Sequence, residues 1–347
     1  MRALILAPQS FTLAGSFEYG FFHNNWETRI FDYRSEIRNY EDRIHSHINK
    51  FPFKIRSGWY NYFVAKVNSY HKKTFSEYKP DLVLVYNSEL LLPETVRFMR
   101  QTSKVCFFLG DSPFYTPQNE HYLPLLSQAD LILSPDSYWE QQLKGIGLDQ
   151  TRFFLISSNP EVNHVIQVSD SEHKEWSSDL VFVGTSYSTA AGYKRALFLS
   201  QFAGLDIKIY TSRQFMRWCG CFPGLTDKVT VLPKRLTNEE LNTVLNCCKI
   251  YPVDANPGLI NGVHIRIFDC IASGIMPLAE YRKDVKDIFE KDGLPIIYDY
   301  KNAGDLARHY LVNQAKRKEI VMSLQQKVRQ LYAPEVAIHR LLDEIKI

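Results

Sequence analysis

The chain has no run approaching the roughly 20 consecutive apolar residues that cross a bilayer, so no transmembrane segment is read from it. Its opening, MRALILAPQS, carries one Arg and an apolar run that stops at Pro8, which reads as a first strand and not as a secretory signal. An excess of one charge sign is missing too. Against 41 Lys and Arg stand 38 Asp and Glu, a net +3, too mild to point to nucleic acid. Cysteine is scarce: six residues, at 106, 219, 221, 247, 248 and 270, without a CxxC and without a second Cys/His pair at zinc-finger spacing. They read as reduced thiols of a cytosolic protein. GxGxxG and GxxxxGK(S/T) are absent, which sets aside a dehydrogenase and a P-loop NTPase; GxSxG, EF-hand spacing and an Asp-x-Asp metal motif are absent as well.

What is present is alternation. The chain has 347 residues, 45% hydrophobic and 23% charged, enough for one large or two ordinary globular domains. Short apolar runs at 2–7, 28–33, 81–86, 104–109, 130–134 and 153–156 read as strands buried on both faces of a parallel sheet. Helical stretches separate them. Residues 161–178 turn polar and read as a linker. Strands then resume at 180–183, 206–210, 229–232, 249–253, 275–279 and 295–298, and helices close the chain at 302–331 and 334–346. The pattern predicts two doubly wound α/β domains facing a cleft.

Open α/β sheets place ligands beyond the carboxyl ends of their strands. In the first half this singles out the loop 9–16, with Gly15 and Ser16, before a helix at 17–24. It also singles out Asp111, which follows the strand 104–109 in Gly110-Asp111-Ser112-Pro113. Asp111 is a candidate general base; the competing reading is an Asp that caps the turn before Pro113. In the second half, PGLINGVHIRIFDCIASGIMPLAE reads as a loop, a helix at 263–272, a Ser273-Gly274 stop and a strand. His264, Arg266 and Asp269 lie in the first turns of that helix. Free N–H groups and the positive dipole end suit a phosphate there, and the Arg266 fork matches phosphate oxygens. Asp269 can accept from a ribose. His264 joins Asp111 as a candidate catalytic residue.

The run Arg266-Ile-Phe268-Asp269-Cys-Ile-Ala272-Ser-Gly274 resembles the donor-site motif of GT-B glycosyltransferases, in particular the spore-maturation-protein-like (CgeB-like) family. The segment around Asp111 resembles that family's Trp-x-x-Asp-x-Pro. Gly184-Thr185-Ser186 with Arg195 resembles the opening of its nucleotide-binding domain. The wider GT-B group carries two acidic residues eight positions apart at the helix start; here these are Asn261 and Asp269, so the sugar-side carboxylate is an amide. The resemblance implies a GT-B fold with domains at 1–165 and 179–331, a linker at 166–178, and a last helix, 332–347, that crosses back to the first domain. It implies transfer from a nucleotide-sugar donor to a glycan, protein or lipid-linked acceptor hydroxyl, without metal or other cofactor. The donor contacts it implies are Gly184, Thr185, Ser186, Arg195, Lys234, Asn261, Gly262, Arg266 and Asp269. A catalytically inactive nucleotide-sugar or glycan-binding protein of the same fold is the alternative. Residues 51–78 combine aromatics at helical spacing with Lys66, His71, Lys72 and Lys73. They read either as a surface helix packed on the sheet or as a peripheral membrane or acceptor surface of a cytoplasmic protein.

Overall fold

The computed structural model describes residues 1–8, 12–48, 51–88, 90–115 and 121–346. The chain divides into two compact units, Met1–Ile156 with Pro334–Ile347, and Ser157–Ala333.

The first unit is built on six parallel strands, β1 (Arg2–Leu6), β2 (Glu27–Phe31), β3 (Leu82–Tyr86), β4 (Lys104–Phe108), β5 (Leu131–Ser134) and β6 (Thr151–Phe153). Their spatial order is β2-β1-β3-β4-β5-β6. Leu82 to Val85 are fully buried, which is why these strands are unbroken apolar runs rather than alternating ones. Phe17 packs edge-on to Phe108 at 5.2 Å and over Phe154 at 6.4 Å.

Two expectations change here. Gly15 and Ser16 do not lie in a loop; they are inside the helix Thr12–His23. Leu13, Ala14, Phe17 and Phe21 recur at helical spacing and are all buried, so the apolar face outweighs the low helix propensity of two glycines. Residues 9–11 of that expected loop lie outside the described residues. The stretch read as a linker is also not structureless. A Ser169 capping box, with Glu172 as its return partner, opens the helix Asp170–Trp176.

The last helix, Pro334–Ile345, packs against Thr12–His23 within the first unit. The Asn24 amide bridges the two by donating to the Gly20 and Glu335 carbonyls at 2.7 and 2.9 Å.

The second unit repeats the plan with β7 (Ser178–Val183), β8 (Ile207–Thr211), β9 (Val229–Val231), β10 (Cys248–Val253), β11 (Met276–Glu280) and β12 (Ile296–Ile297). All are parallel, in the order β12-β11-β10-β7-β8-β9. Each unit is thus a Rossmann-like doubly wound sheet. The strand order reverses between β1 and β3 in the first and between β7 and β10 in the second.

Residues 53–78 form one helix, Phe53–Tyr78, beside the shorter Asn39–His47. The Lys66 ammonium donates to the buried Glu41 carboxylate at 2.7 Å and ties the two together. Phe63 and Val67 pack with Ile37 on the inner face. His71 is 2% exposed, edge-on to Phe31 at 5.4 Å and Tyr33 at 6.0 Å, and neither ring nitrogen has a hydrogen-bond partner among the described residues. Burial lowers its pKa from 6.5 to about 4. A base refused its proton by the fold destabilises the fold on acidification, because the unfolded chain binds that proton first. The contribution is intact above pH 6.5 and disappears as pH falls toward 4, by about 3 kcal/mol at most. Denaturant midpoints measured across this window should fall more steeply for the wild type than for His71→Phe; parallel curves would contradict the assignment.

Candidate active site

In the second unit the switch point lies at the ends of β7 and β10. The ladder between them pairs Cys248 with Ser178 and Ile250 with Leu180. Beyond it the Tyr251 hydroxyl takes over, accepting from the Val183 N–H at 3.1 Å and donating to the Val183 carbonyl at 2.8 Å. Burial pushes the phenol up to about 12, so it stays a donor.

Around this point the structure gathers a set of charges. Arg195, on the helix Ala190–Ser200, is 6% exposed and donates from Nε to Asp254, just past β10, at 2.7 Å. Its Nη1 donates to the Thr185 carbonyl, and its guanidinium lies over the rings of Phe182 and Tyr187 at 5.2 and 5.0 Å. Lys194 donates to Glu280 at 2.5 Å and to the Ala255 carbonyl at 2.9 Å. Glu280, at the end of β11, also accepts from the Ala255 N–H, the Tyr300 hydroxyl and Arg282. Arg266 donates to Asp269 at 2.8 Å and lies 5.8 Å over the Tyr251 ring. Asp269 is 2% exposed and accepts from the Ser158 hydroxyl as well. Burial raises its carboxyl, while Arg266 and Ser158 oppose that rise. Lys194, Arg195, Arg266 and Arg282 are thus paired with Asp254, Asp269 and Glu280, and a further buried carboxylate, Asp284, stands beside Asn261.

The helix Ile265–Ala272 begins two residues later than its pattern suggests, because His264 is extended and serves as the N-cap. Its Nδ1 accepts from the Arg266 N–H at 3.1 Å, which leaves the proton of the neutral ring on Nε2. Burial, then the nearby Arg266, Arg195 and Lys194 charges, lower its pKa to about 4. At neutral pH His264 is therefore a hydrogen-bond donor at a helix N-terminus and not a cation. Gly274 ends the helix at φ 77°, the left-handed stop that its position implies.

A Cβ on Gly184 would lie 2.8 Å from the Phe182 ring, so the glycine makes room for that ring. Arg195 braces the switch point through Asp254. Thr185 is exposed and Ser186 buried, its N–H bonded to Ser212 Oγ at 3.2 Å. The Asn261 carbonyl accepts from the Asp284 N–H at 2.9 Å, and Gly262 is buried ahead of His264. Lys234 does not join the group. It is 74% exposed with Glu240 at 3.7 Å, on a groove of about 670 Å³ whose lining includes Trp176 and Tyr210. Asp254 and Glu280 escaped the sequence reading. The available signal was a single acid ending an apolar strand.

In the first unit Asp111 follows β4. The Asn87 amide, at the end of β3 with φ 44°, donates to it at 2.9 Å and accepts from the Gly110 N–H at 2.7 Å. Burial raises the Asp111 carboxyl and the Asn87 hydrogen bond opposes it. A side chain at Gly110 would meet the Tyr86 hydroxyl at 2.5 Å, so the glycine lets Tyr86 and Asn87 close on this corner. Among the described residues, no three His, Cys, Asp or Glu side chains are grouped to hold a metal ion.

Residues 194–343 match a family model described as glycosyl transferase-like. No curated protein matches the chain in sequence. Solved structures similar over its whole length include the sucrose-phosphate synthase of Thermosynechococcus elongatus, at 11% identity and TM-score 0.67, covering 100% of this chain and 99% of that one. Anabaena HepE in complex with UDP-glucose matches at 12% identity and TM-score 0.67, over 99% of each chain. An E. coli trehalose-6-phosphate structure bound with UDP-2-fluoro glucose does so at 12% and 0.67, over 100% and 99%. The fold is therefore GT-B, two Rossmann-like parallel-sheet domains in one chain.

Removing one member of a buried ion pair leaves the other uncompensated and costs about 3–5 kcal/mol. Arg195→Ala should lower the denaturation midpoint accordingly, with Asp254 left buried. An unchanged midpoint would show that Arg195 does not brace the strand ends.

Proposed function

We propose that the protein is a glycosyltransferase that moves a sugar from a nucleotide-sugar donor to an acceptor hydroxyl on a glycan, a protein or a lipid-linked molecule, as in the spore-maturation-protein-like group. The observation that carries this reading is the cluster of Lys194, Arg195, Arg266 and Arg282 at the second switch point. It stands beside the N-terminus of Ile265–Ala272, where Arg266 and the helix N–H groups favour a diphosphate. The family match over 194–343 covers Lys194, Arg195, β10 and the helix Ile265–Ala272, and begins after β7. HepE and the E. coli neighbour carry UDP-linked sugars, so UDP-glucose is the first donor to test.

In the proposed reaction the acceptor oxygen bonds to the anomeric carbon, the bond from that carbon to the diphosphate breaks, and the nucleoside diphosphate leaves with the electron pair. Arg266, the His264 Nε2–H and the helix N–H groups stabilise the leaving charge, work done by a metal in other enzymes. Thr185, Ser186, Asn261, Gly262 and Asp269 are the proposed donor contacts. Asp111 takes the acceptor proton, held by Asn87.

Wild-type protein given UDP-glucose and an acceptor panel should release UDP. Asp111→Asn should cut that turnover by roughly 10²–10⁴ while sparing donor affinity. Because the base must be ionised, the wild-type rate should fall as pH drops through the pKa of this carboxyl, which burial raises from the usual Asp value. Full turnover by Asp111→Asn would remove it as the base.

No helix of the described residues is long and apolar enough to cross a membrane. We propose peripheral contact with anionic lipid through the helix Phe53–Tyr78 and its neighbour. Tyr40, Ile44, Phe51, Ile55 and Tyr62 are exposed apolar side chains there. Arg38, Arg43, Lys54 and Arg56 outnumber the one exposed carboxylate of residues 38–62, Asp42. The protein should sediment with phosphatidylglycerol vesicles but not phosphatidylcholine vesicles, and Ile55→Asp with Tyr62→Asp should release it; equal sedimentation of both forms would contradict the contact.

A further inference from the structure

We propose that the segment 212–222 is a clamp that sets the backbone of the loop 184–189, the loop that follows β7, and that Trp218 is its positioning residue. Four consecutive loop residues are held from the protein side. The Thr185 carbonyl accepts from Arg195 Nη1, the Ser186 N–H donates to Ser212 Oγ at 3.2 Å, the Tyr187 carbonyl accepts from the Trp218 indole N–H at 3.1 Å, and the Ser188 carbonyl accepts from Arg217 at 3.3 Å. Three of these four partners belong to the segment that follows β8, folded as the turns Arg213–Phe215, Met216–Cys219 and Pro223–Leu225.

The approach is tight enough to dictate sequence. A Cβ on Gly192 would lie 2.0 Å from the Tyr187 oxygen and 2.6 Å from Trp218 Nε1, so only glycine admits the loop, the indole and the first turn of Ala190–Ser200 together. Tyr193 fixes the clamp laterally, edge-on to Trp218 at 5.9 Å and against Phe222 at 5.3 Å.

The consequence follows from the trans peptide plane, in which the N–H of each residue points opposite to the carbonyl before it. Drawing the Tyr187 and Ser188 carbonyls into the clamp turns the N–H groups of Ser188 and Thr189 the other way. Both residues are exposed and stand at the start of Ala190–Ser200. The clamp thus withdraws carbonyl oxygens from the face a diphosphate would approach and leaves donors there. This role rests on the donor reading given above.

The test uses Trp218→Phe, which keeps a ring against Tyr193 and deletes the indole N–H, and Arg217→Ala on the exposed side of the clamp. Amide hydrogen exchange over 184–190 and calorimetric titration with UDP are measured on each. Losing one hydrogen bond predicts exchange faster and UDP affinity weaker by roughly three- to ten-fold, with donor KM raised by a like factor and kcat within about twofold. Unchanged exchange overturns the clamp. Faster exchange with undiminished UDP affinity overturns the positioning role. If the wild-type protein binds no UDP, the donor reading fails and with it the positioning role, while exchange still decides whether the clamp exists.

Discussion

Arg195 and Asp254 meet at 2.7 Å where the strand order of the second sheet reverses, and both side chains are buried. A pair of opposite charges so placed persists only if each compensates the other and the remaining donors find acceptors. Arg195 finds one in the Thr185 carbonyl, which ties the ends of β7 and β10 to the same guanidinium. The rest of the site is arranged around this constraint. Lys194, its neighbour in sequence, leaves on another side of the same helix to hold Glu280 and the Ala255 carbonyl. One helical turn thereby braces β7, β10 and β11 together.

With those charges paired among themselves, the site's outward character is set by what remains. Arg266, a neutral His264 with its proton on Nε2, and a helix N-terminus all favour an anion. The cost of this arrangement is visible in the directions of the shifts. Burial raises the Asp269 carboxyl and depresses His264, and the fold tolerates both because Arg266 stands between them, donating to one and bonded through its backbone N–H to the other.

Much of the architecture was readable in advance for a simple reason. A parallel strand covered on both faces must be a continuous apolar run, and DLVLVY or DLILS admits few other readings. Helices were less legible where composition misleads. Gly15 and Gly20 disguise the helix Thr12–His23, whose buried face is carried by Leu13, Phe17 and Phe21. The charged stretch SDSEHKEW conceals a short capped helix. At the site, motif residues such as Arg266 stood out but their partners did not. Ser158 reaches Asp269 across 111 positions and Arg195 reaches Asp254 across 59, and such pairings follow from topology rather than spacing. The contact between Gly184 and the Phe182 ring, for which the missing side chain makes room, is equally invisible in the sequence.

The most direct measurement is a calorimetric titration of the wild-type protein and Arg266→Ala with UDP-, GDP-, dTDP- and CMP-linked sugars. The account predicts saturable binding of one nucleotide class by the wild type, weakened at least about tenfold in Arg266→Ala through loss of a charge-assisted contact. Binding of none of them, or equal affinity in both proteins, would contradict the assignment of this cationic helix terminus as the donor site.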